Sequence, residues 1–312
     1  MYGGFAMIEL QLLRDAEAAS PFRHMTFPAY RGLLDFDPGD VHVLAIGMFE
    51  GGAPAGLALA SARLAVGEAK LLSIFVEERV RGHGLGTTLV RRIETECAEL
   101  QIAKLSGTYM SGQPATSAVE RILARAGWSA PQLRMLVVRC SATSLKSMPW
   151  FRRLAMPPGY DIVPWVELRE SEREELRESH RQERWIAEEL YPFDYERGIE
   201  PVTSLALRVH GKVLGWCLNH LLDGLLRCTC SYLRKDLQQR ARGLVLWSEM
   251  IDRMSIIGVE ICMWTVPAAR DAMVRFNRTH VQPYALFFGE TLGVERLIEP
   301  IPQISGSRSR TR

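Results

Sequence analysis

Apolar positions in the first half of the chain fall into runs of strand length, cut apart by glycine and proline. Ile8–Leu13 reads as a strand and residues 16–34 as one or two short helices. Strands follow at 41–49 and 56–64, split by the turn-forming Gly51-Gly52-Ala53-Pro54. A further strand at about 69–76 runs into a glycine-rich turn. Behind that turn Leu85, Leu89, Val90 and Ile93 recur at helical spacing, which predicts a helix to about residue 100. The pattern continues as a strand at 103–110, a helix at 115–126 ended by Gly127, and a strand at 134–140.

Past residue 140 the texture changes. Met148-Pro149-Trp150 and Met156-Pro157-Pro158-Gly159 interrupt any regular element, which places a linker there. Residues 160–166 read as a strand, and 170–189 as a helix whose Glu and Arg residues form a solvated face. Strands at 202–209 and 213–219 about His210-Gly211-Lys212 repeat the earlier hairpin. Leu225–Leu233 is then a strand leading to Gln238-Gln239-Arg240-Ala241-Arg242-Gly243 and a helix at 244–254. The expected boundaries are 1–141 for a first domain, 142–159 for the linker, 160–303 for a second domain and 304–312 for a basic, frayed tail.

The turn in residues 74–89, IFVEERVRGHGLGTTL, carries the chemistry. A helix that opens there has amides without intrahelical acceptors and the positive end of its dipole, which together hold a pyrophosphate. Gly82, Gly84 and Gly86 lack Cβ and allow close approach of a ligand. A nucleotide-triphosphate loop needs a Lys that this turn lacks. A dinucleotide loop needs Gly-x-Gly-x-x-Gly, whereas here the glycines alternate.

Arg-x-x-Gly-x-Gly directly after a strand ending aromatic-Val resembles the acetyl-CoA loop of the GNAT family of N-acetyltransferases. Glu78 stands where that family often has proline. The element order, a hairpin-rich sheet with helices around a central glycine turn, is similar to the family's fold. The second loop copies the first: Phe75 precedes Arg81 by six residues, Tyr232 precedes Gln238 by six, and the two loops lie 157 residues apart. Ala241 there lacks ready access to positive φ, so Gln238, Ala241, Arg242 and Gly243 form only a degenerate second cofactor site. The fold expected is therefore α+β (mixed α/β): two tandem GNAT-like domains, each a mixed, mainly antiparallel sheet flanked by helices.

The resemblance implies an N-acetyltransferase in which an amine of a small molecule or peptide attacks acetyl-CoA, the cosubstrate, and CoA leaves as a thiol. It places the cofactor at Phe75, Val76, Arg81, Gly82, His83, Gly84, Leu85, Gly86, Thr87 and Thr88, with an oxyanion donor near Phe75 or Val76. It also exposes a departure. The tyrosine that many relatives use to protonate the leaving thiolate falls on Leu123, and the usual carboxylate base falls near Lys70. Glu68, on the same strand face as Lys70, and Tyr109 are then the candidate base and acid. An ungapped 157-residue offset sets His280 opposite Leu123, and a shifted register sets Asn277 there. The stretch 188–200 mixes carboxylates with aromatics where relatives shape the acceptor cleft. A non-catalytic acyl-CoA-binding protein is the competing reading, and a transferase of the peptidoglycan-bridge type is disfavoured by the intact loop.

Composition narrows the classes further. Of 312 residues 47% are hydrophobic and 24% charged, with net charge +2, the balance of a globular protein. No nucleic-acid partner is expected, since basic residues concentrate only at 305–312. No apolar run has the length to span a bilayer, and a cytoplasmic location is expected. Six scattered cysteines lack Cys-x-x-Cys spacing, so no metal is expected and they read as reduced core thiols. Cys228 and Cys230 would share one strand face.

Overall fold

A computed structural model describes residues 7–37, 41–149, 151, 158–238 and 242–299. The chain divides into two compact units, residues 1–133 with 291–312 and residues 134–290.

The first unit is built on β1 (Ile8–Leu13), α1 (Ala16–Ala19), β2 (His42–Glu50), β3 (Ala53–Arg63), β4 (Glu68–Val76), α2 (Leu85–Glu99), β5 (Lys104–Met110) and α3 (Thr116–Arg125). Two 3₁₀ segments, Ser20–Met25 and Pro28–Asp35, stand between β1 and β2. β1 to β4 form an antiparallel meander and β4 pairs in parallel with β5. The apolar run of β2 is nearly unbroken because both faces are covered. Leu44, Ile46 and Met48 pack with Leu89, Val90 and Ile93 of α2, while Ala45 packs with Leu13, Phe22, Met25 and Leu34 on the side of the 3₁₀ segments.

The second unit begins with β6 (Gln132–Ser141) and α4 (Ala142–Ser147). It continues through β7 (Tyr160–Pro164), α5 (Glu170–Glu183), β8 (Leu205–Val209), β9 (Lys212–Leu222), β10 (Leu225–Leu233), α6 (Arg242–Met254), β11 (Ile261–Pro267) and α7 (Asp271–Phe276). Its hydrogen-bonded strand order is β6-β11-β10-β9-β8-β7. Trp165, Trp216, Tyr232 and Trp185 stack in its core, and Glu172 of α5 binds Arg208 of β8 beneath them.

Sequence order and unit membership differ at two strands. β6, which by position closes the first domain, pairs along its length with β11, from Ile261↔Ser141 to Pro267↔Met135. The last strand of the chain, β12 (Phe287–Leu297), pairs with β5 from Thr291↔Met110 to Leu297↔Lys104. There Val294 and Ile298 enter the core of the first unit, and Ser129 exchanges hydrogen bonds with Glu295 through both main chains and its own hydroxyl. Each unit is thus closed by a strand from the other half of the sequence.

The expected linker is partly a helix, α4, which Ser141 caps by accepting from the Ser144 N–H at 3.0 Å. The tail 304–312 and Ala241 lie outside the described residues. Cys228 and Cys230 do not share a face. Thr229 is an extra residue in the β9–β10 ladder, so Cys228 turns to Met250 of α6 and Cys230 to the Leu190 carbonyl on the opposite side. All six cysteines are buried and free, and burial pushes the Cys97, Cys140 and Cys217 thiols up to about 12.

Candidate functional site

β4 and β5 separate at one point. Their ladder runs from Glu68↔Lys104 to Leu71↔Gly107 and stops. Leu72 is an extra residue against β3, between the pairs Ala60↔Leu71 and Leu59↔Ser73, and the bend of that bulge directs the rest of β4 away from β5. β4 continues to Val76 and β5 to Met110 without pairing each other, which leaves main-chain donors and acceptors of both strands facing a gap.

The same bulge sorts the side chains beyond it. Ile74 and Val76 pack on the α2 side, whereas Leu72 and Phe75 pack on the side of the 3₁₀ segments. The glycine turn follows directly. Gly82 (φ 89°) and Gly84 (φ 78°) both take the left-handed conformation, and a Cβ at either would meet nothing within 4 Å. These two glycines therefore serve conformation and leave open space at the helix start. Gly86 differs from the expectation. A Cβ there would lie 2.5 Å from Ile122 Cδ1, so Gly86 lets α2 approach α3.

Gly84 is the N-cap of α2, and its carbonyl accepts from the Thr87 and Thr88 amides. The amides of Gly82, Gly84, Leu85 and Gly86 have no backbone acceptor among the described residues. The buried Thr87 hydroxyl also lacks a partner there. Donors without acceptors at the positive end of a fifteen-residue helix, beside open space, suit a diphosphate. Arg81 turns back and donates from Nε to the Val76 carbonyl at 2.8 Å, while His83 Nδ1 lies 3.3 Å from the Val80 carbonyl.

Tyr109 stands on β5 past the end of the ladder, on the same open end as the turn. Its hydroxyl donates to Glu120 of α3 at 3.3 Å, and burial, with the Glu120 charge, pushes the phenol up to about 12. Leu123 is buried in the α2-side core and supplies no proton. Glu68 is not brought to this end. It sits at the start of β4, ion-paired with Arg63 at 2.6 Å, and eight residues of extended strand put it roughly 26 Å from Val76.

Other groups lie on the opposite face of the open end. Thr26 and Ser73 join their hydroxyls at 2.8 Å in a buried pair, and His24 Nε2 lies 3.5 Å from Glu77 Oε1. Nothing local in the sequence marks them, because 47 residues separate Thr26 from Ser73.

The second unit repeats the backbone of the first. β10 leaves β11 after Leu226↔Cys262 and Arg227↔Met263, and its bulge residue, Thr229, lies 157 residues after Leu72. Gln238 donates from Nε2 to the Leu233 carbonyl at 2.6 Å, as Arg81 does to Val76. Residues 239–241 are outside the described set, and Gly243 has ordinary contact with Leu233. His280 does not stand where the ungapped offset set it. Residues Asn277–Val281 form a π-turn that inserts a residue into the helical register, which leaves His280 exposed against Phe276 and Asn277 buried, accepting from Trp264 Nε1 at 2.9 Å.

Among the described residues, no three His, Cys, Asp or Glu side chains group to hold a metal ion, and no helix is long and apolar enough to cross a membrane.

Residues 10–123 match the family model described as Acetyltransferase (GNAT) family. No curated protein matches the chain. Among solved structures it is similar to a tandem GNAT protein from the clavulanic acid biosynthesis pathway, without AcCoA, at 15% identity and a TM-score of 0.57, covering 95% of this chain and 100% of that one. It is also similar to a GCN5-related N-acetyltransferase from Sphaerobacter thermophilus at 18% identity and a TM-score of 0.57, covering 94% and 96%. The sequence match falls on the unit with the glycine turn, while the structural likeness extends over both units. Residues 10–123 are thus similar to the GNAT family, and the chain carries the tandem GNAT fold over nearly its whole length.

Proposed function

We propose that the protein transfers an acetyl group from acetyl-CoA to an amine of a small-molecule or peptide acceptor, and that the first unit does the chemistry. The observation that carries this reading is the coincidence of two features at one end of β4. The strand parts from β5 after Leu71, and six residues after its end Gly82 opens the turn that leads into α2. An extended pantetheine arm adds to the free edge of β4 as a strand would, while the diphosphate rests on the amides from Gly82 to Thr88.

The amine nitrogen forms its bond to the thioester carbon, the carbon–sulfur bond breaks, and CoA leaves as a thiolate that takes up a proton. A main-chain N–H near Phe75 or Val76 faces the developing oxyanion. Tyr109 is the proton donor on the α2 side. His24, whose Nε2 lies 3.5 Å from Glu77 Oε1 on the other face, takes the proton that the amine sheds as its nitrogen bonds to the thioester carbon.

The experiment is thiol release from acetyl-CoA with a panel of primary amines, run on the wild type and on Gly84→Asp. The wild type turns over at least one amine. Gly84→Asp, which puts a carboxylate and a Cβ into the open space at the turn, loses at least about a hundredfold in kcat/KM. Unchanged turnover in that variant contradicts the reading. A binding-only role is the second reading, favoured by the burial of Leu123 where relatives keep a tyrosine. Acetyl-CoA affinity without thiol release from any amine selects it.

A further inference from the structure

The second unit contains a cleft of about 270 Å³ between the β9–β10 hairpin and residues 194–197, at the end of the 3₁₀ turn Pro192–Tyr195. Asp194, Tyr195, Arg197, His220, Arg227 and Thr229 line it. Its floor is a fixed polar relay. His220 Nδ1 lies 2.8 Å from Thr229 Oγ1, and His220 Nε2 lies 3.1 Å from the Arg197 carbonyl. A carbonyl only accepts, so Nε2 carries the hydrogen, and in the neutral ring Nδ1 is an acceptor for the threonine hydroxyl, whose other acceptor within reach is the Arg227 carbonyl at 3.3 Å. This pins the main chain of Arg197 to the hairpin. The bulge at Thr229 turns that residue into the cleft together with Arg227, two positions earlier.

The rim is charged and unpaired. The guanidiniums of Arg197 and Arg227 and the carboxylate of Asp194 have no ion-pair partner among the described residues. Elsewhere in the same unit Arg173, Arg177, Arg181, Arg208, Arg234 and Arg253 are each paired. Two guanidiniums present forked donors that suit a carboxylate, and one carboxylate suits an ammonium. The volume is just below that of drug-sized ligand sites and suits a smaller molecule. The apolar faces of Tyr195 and Leu222 leave room for a side chain.

From this constellation we infer that the second unit binds a free α-amino acid at the His220–Thr229 cleft, its carboxylate between Arg197 and Arg227 and its ammonium on Asp194. This inference does not rest on the acetyl-CoA site proposed for the first unit.

The test is calorimetry or ligand-observed NMR on the full chain with each standard L-amino acid in turn, repeated on Arg227→Gln and Asp194→Asn. For the tightest binder, the N-acetyl derivative lacks the ammonium and the methyl ester lacks the carboxylate. At least one amino acid should saturate the protein, and each derivative and each variant should weaken it by about tenfold or more, the worth of one charge-assisted contact. Arg181→Gln, on a paired arginine of α5, should leave that affinity unchanged, and all three variants should keep the wild-type affinity for acetyl-CoA. No saturation by any amino acid up to about 10 mM overturns the inference. So does binding that both derivatives, or both cleft variants, leave intact.

Discussion

At the residue scale the site rests on a few positions whose neighbours give each a separate task. Gly82 and Gly84 hold left-handed backbone beside open space, and Gly86 brings two helices together, so one motif performs two jobs. Tyr109 and His24 lie on opposite faces of the gap, and the proposed mechanism gives them opposite halves of the proton traffic. Tyr109→Phe should lower kcat by about tenfold to a hundredfold and His24→Ala by a similar factor, with acetyl-CoA affinity unchanged in both. Steady-state kinetics alongside calorimetry checks this. Because the Tyr109 phenol is held up to about 12, it stays protonated through the neutral range, and no alkaline limb below about pH 10 should belong to it. The glycine turn was legible from the sequence because its signal is local: strand, glycines and helix in sixteen residues. His24, Thr26, Ser73 and Glu77 were not, since tertiary folding alone brings the first two to the last two.

At the element scale, strand pattern predicts a strand and says little about its partner or its irregularities. Ile8–Leu13 and Leu225–Leu233 fall within the bounds that alternation assigned them. The bulges at Leu72 and Thr229 have no local signature, yet they open both gaps and send Cys228 and Cys230 to different faces. The π-turn at Asn277–Val281 is the same kind of failure, an inserted residue that an ungapped offset cannot see. Helix α5 reads as a solvated charge run, but one carboxylate on it is structural. Burial pushes Glu172 up, while hydrogen bonds from Arg208 and Arg169 outweigh that effect and hold it at about 2. The folded value lies below the ordinary 4.5, so the stability it contributes is present above pH 4.5 and is lost as pH falls towards 2. Glu172→Gln should cost roughly 2–3 kcal/mol at neutral pH and flatten the acid dependence in that window. Urea unfolding followed at several pH values measures both.

At the scale of the whole molecule, the exchange of β6 and β12 means that neither half of the sequence holds a complete unit. Residues 1–141 alone would leave one edge of β5 unpaired and expose the core that Val294 and Ile298 cover. That fragment should aggregate or unfold without a cooperative transition, and adding residues 287–299 as a separate peptide should recover folding. A cooperative, monomeric 1–141 fragment by calorimetry and sedimentation would contradict this. The repeat of loops and hairpins pointed to two units, whereas the exchange was not legible, because pairing across more than a hundred residues leaves no periodicity. The most direct measurement of the central claim is a crystal structure of the full chain with acetyl-CoA. The diphosphate should lie within hydrogen-bonding distance of the amides between Gly82 and Thr88, with the thioester in the gap beyond Leu71 and Gly107. Acetyl-CoA bound only elsewhere, or a turn that stays closed to it, would contradict the assignment.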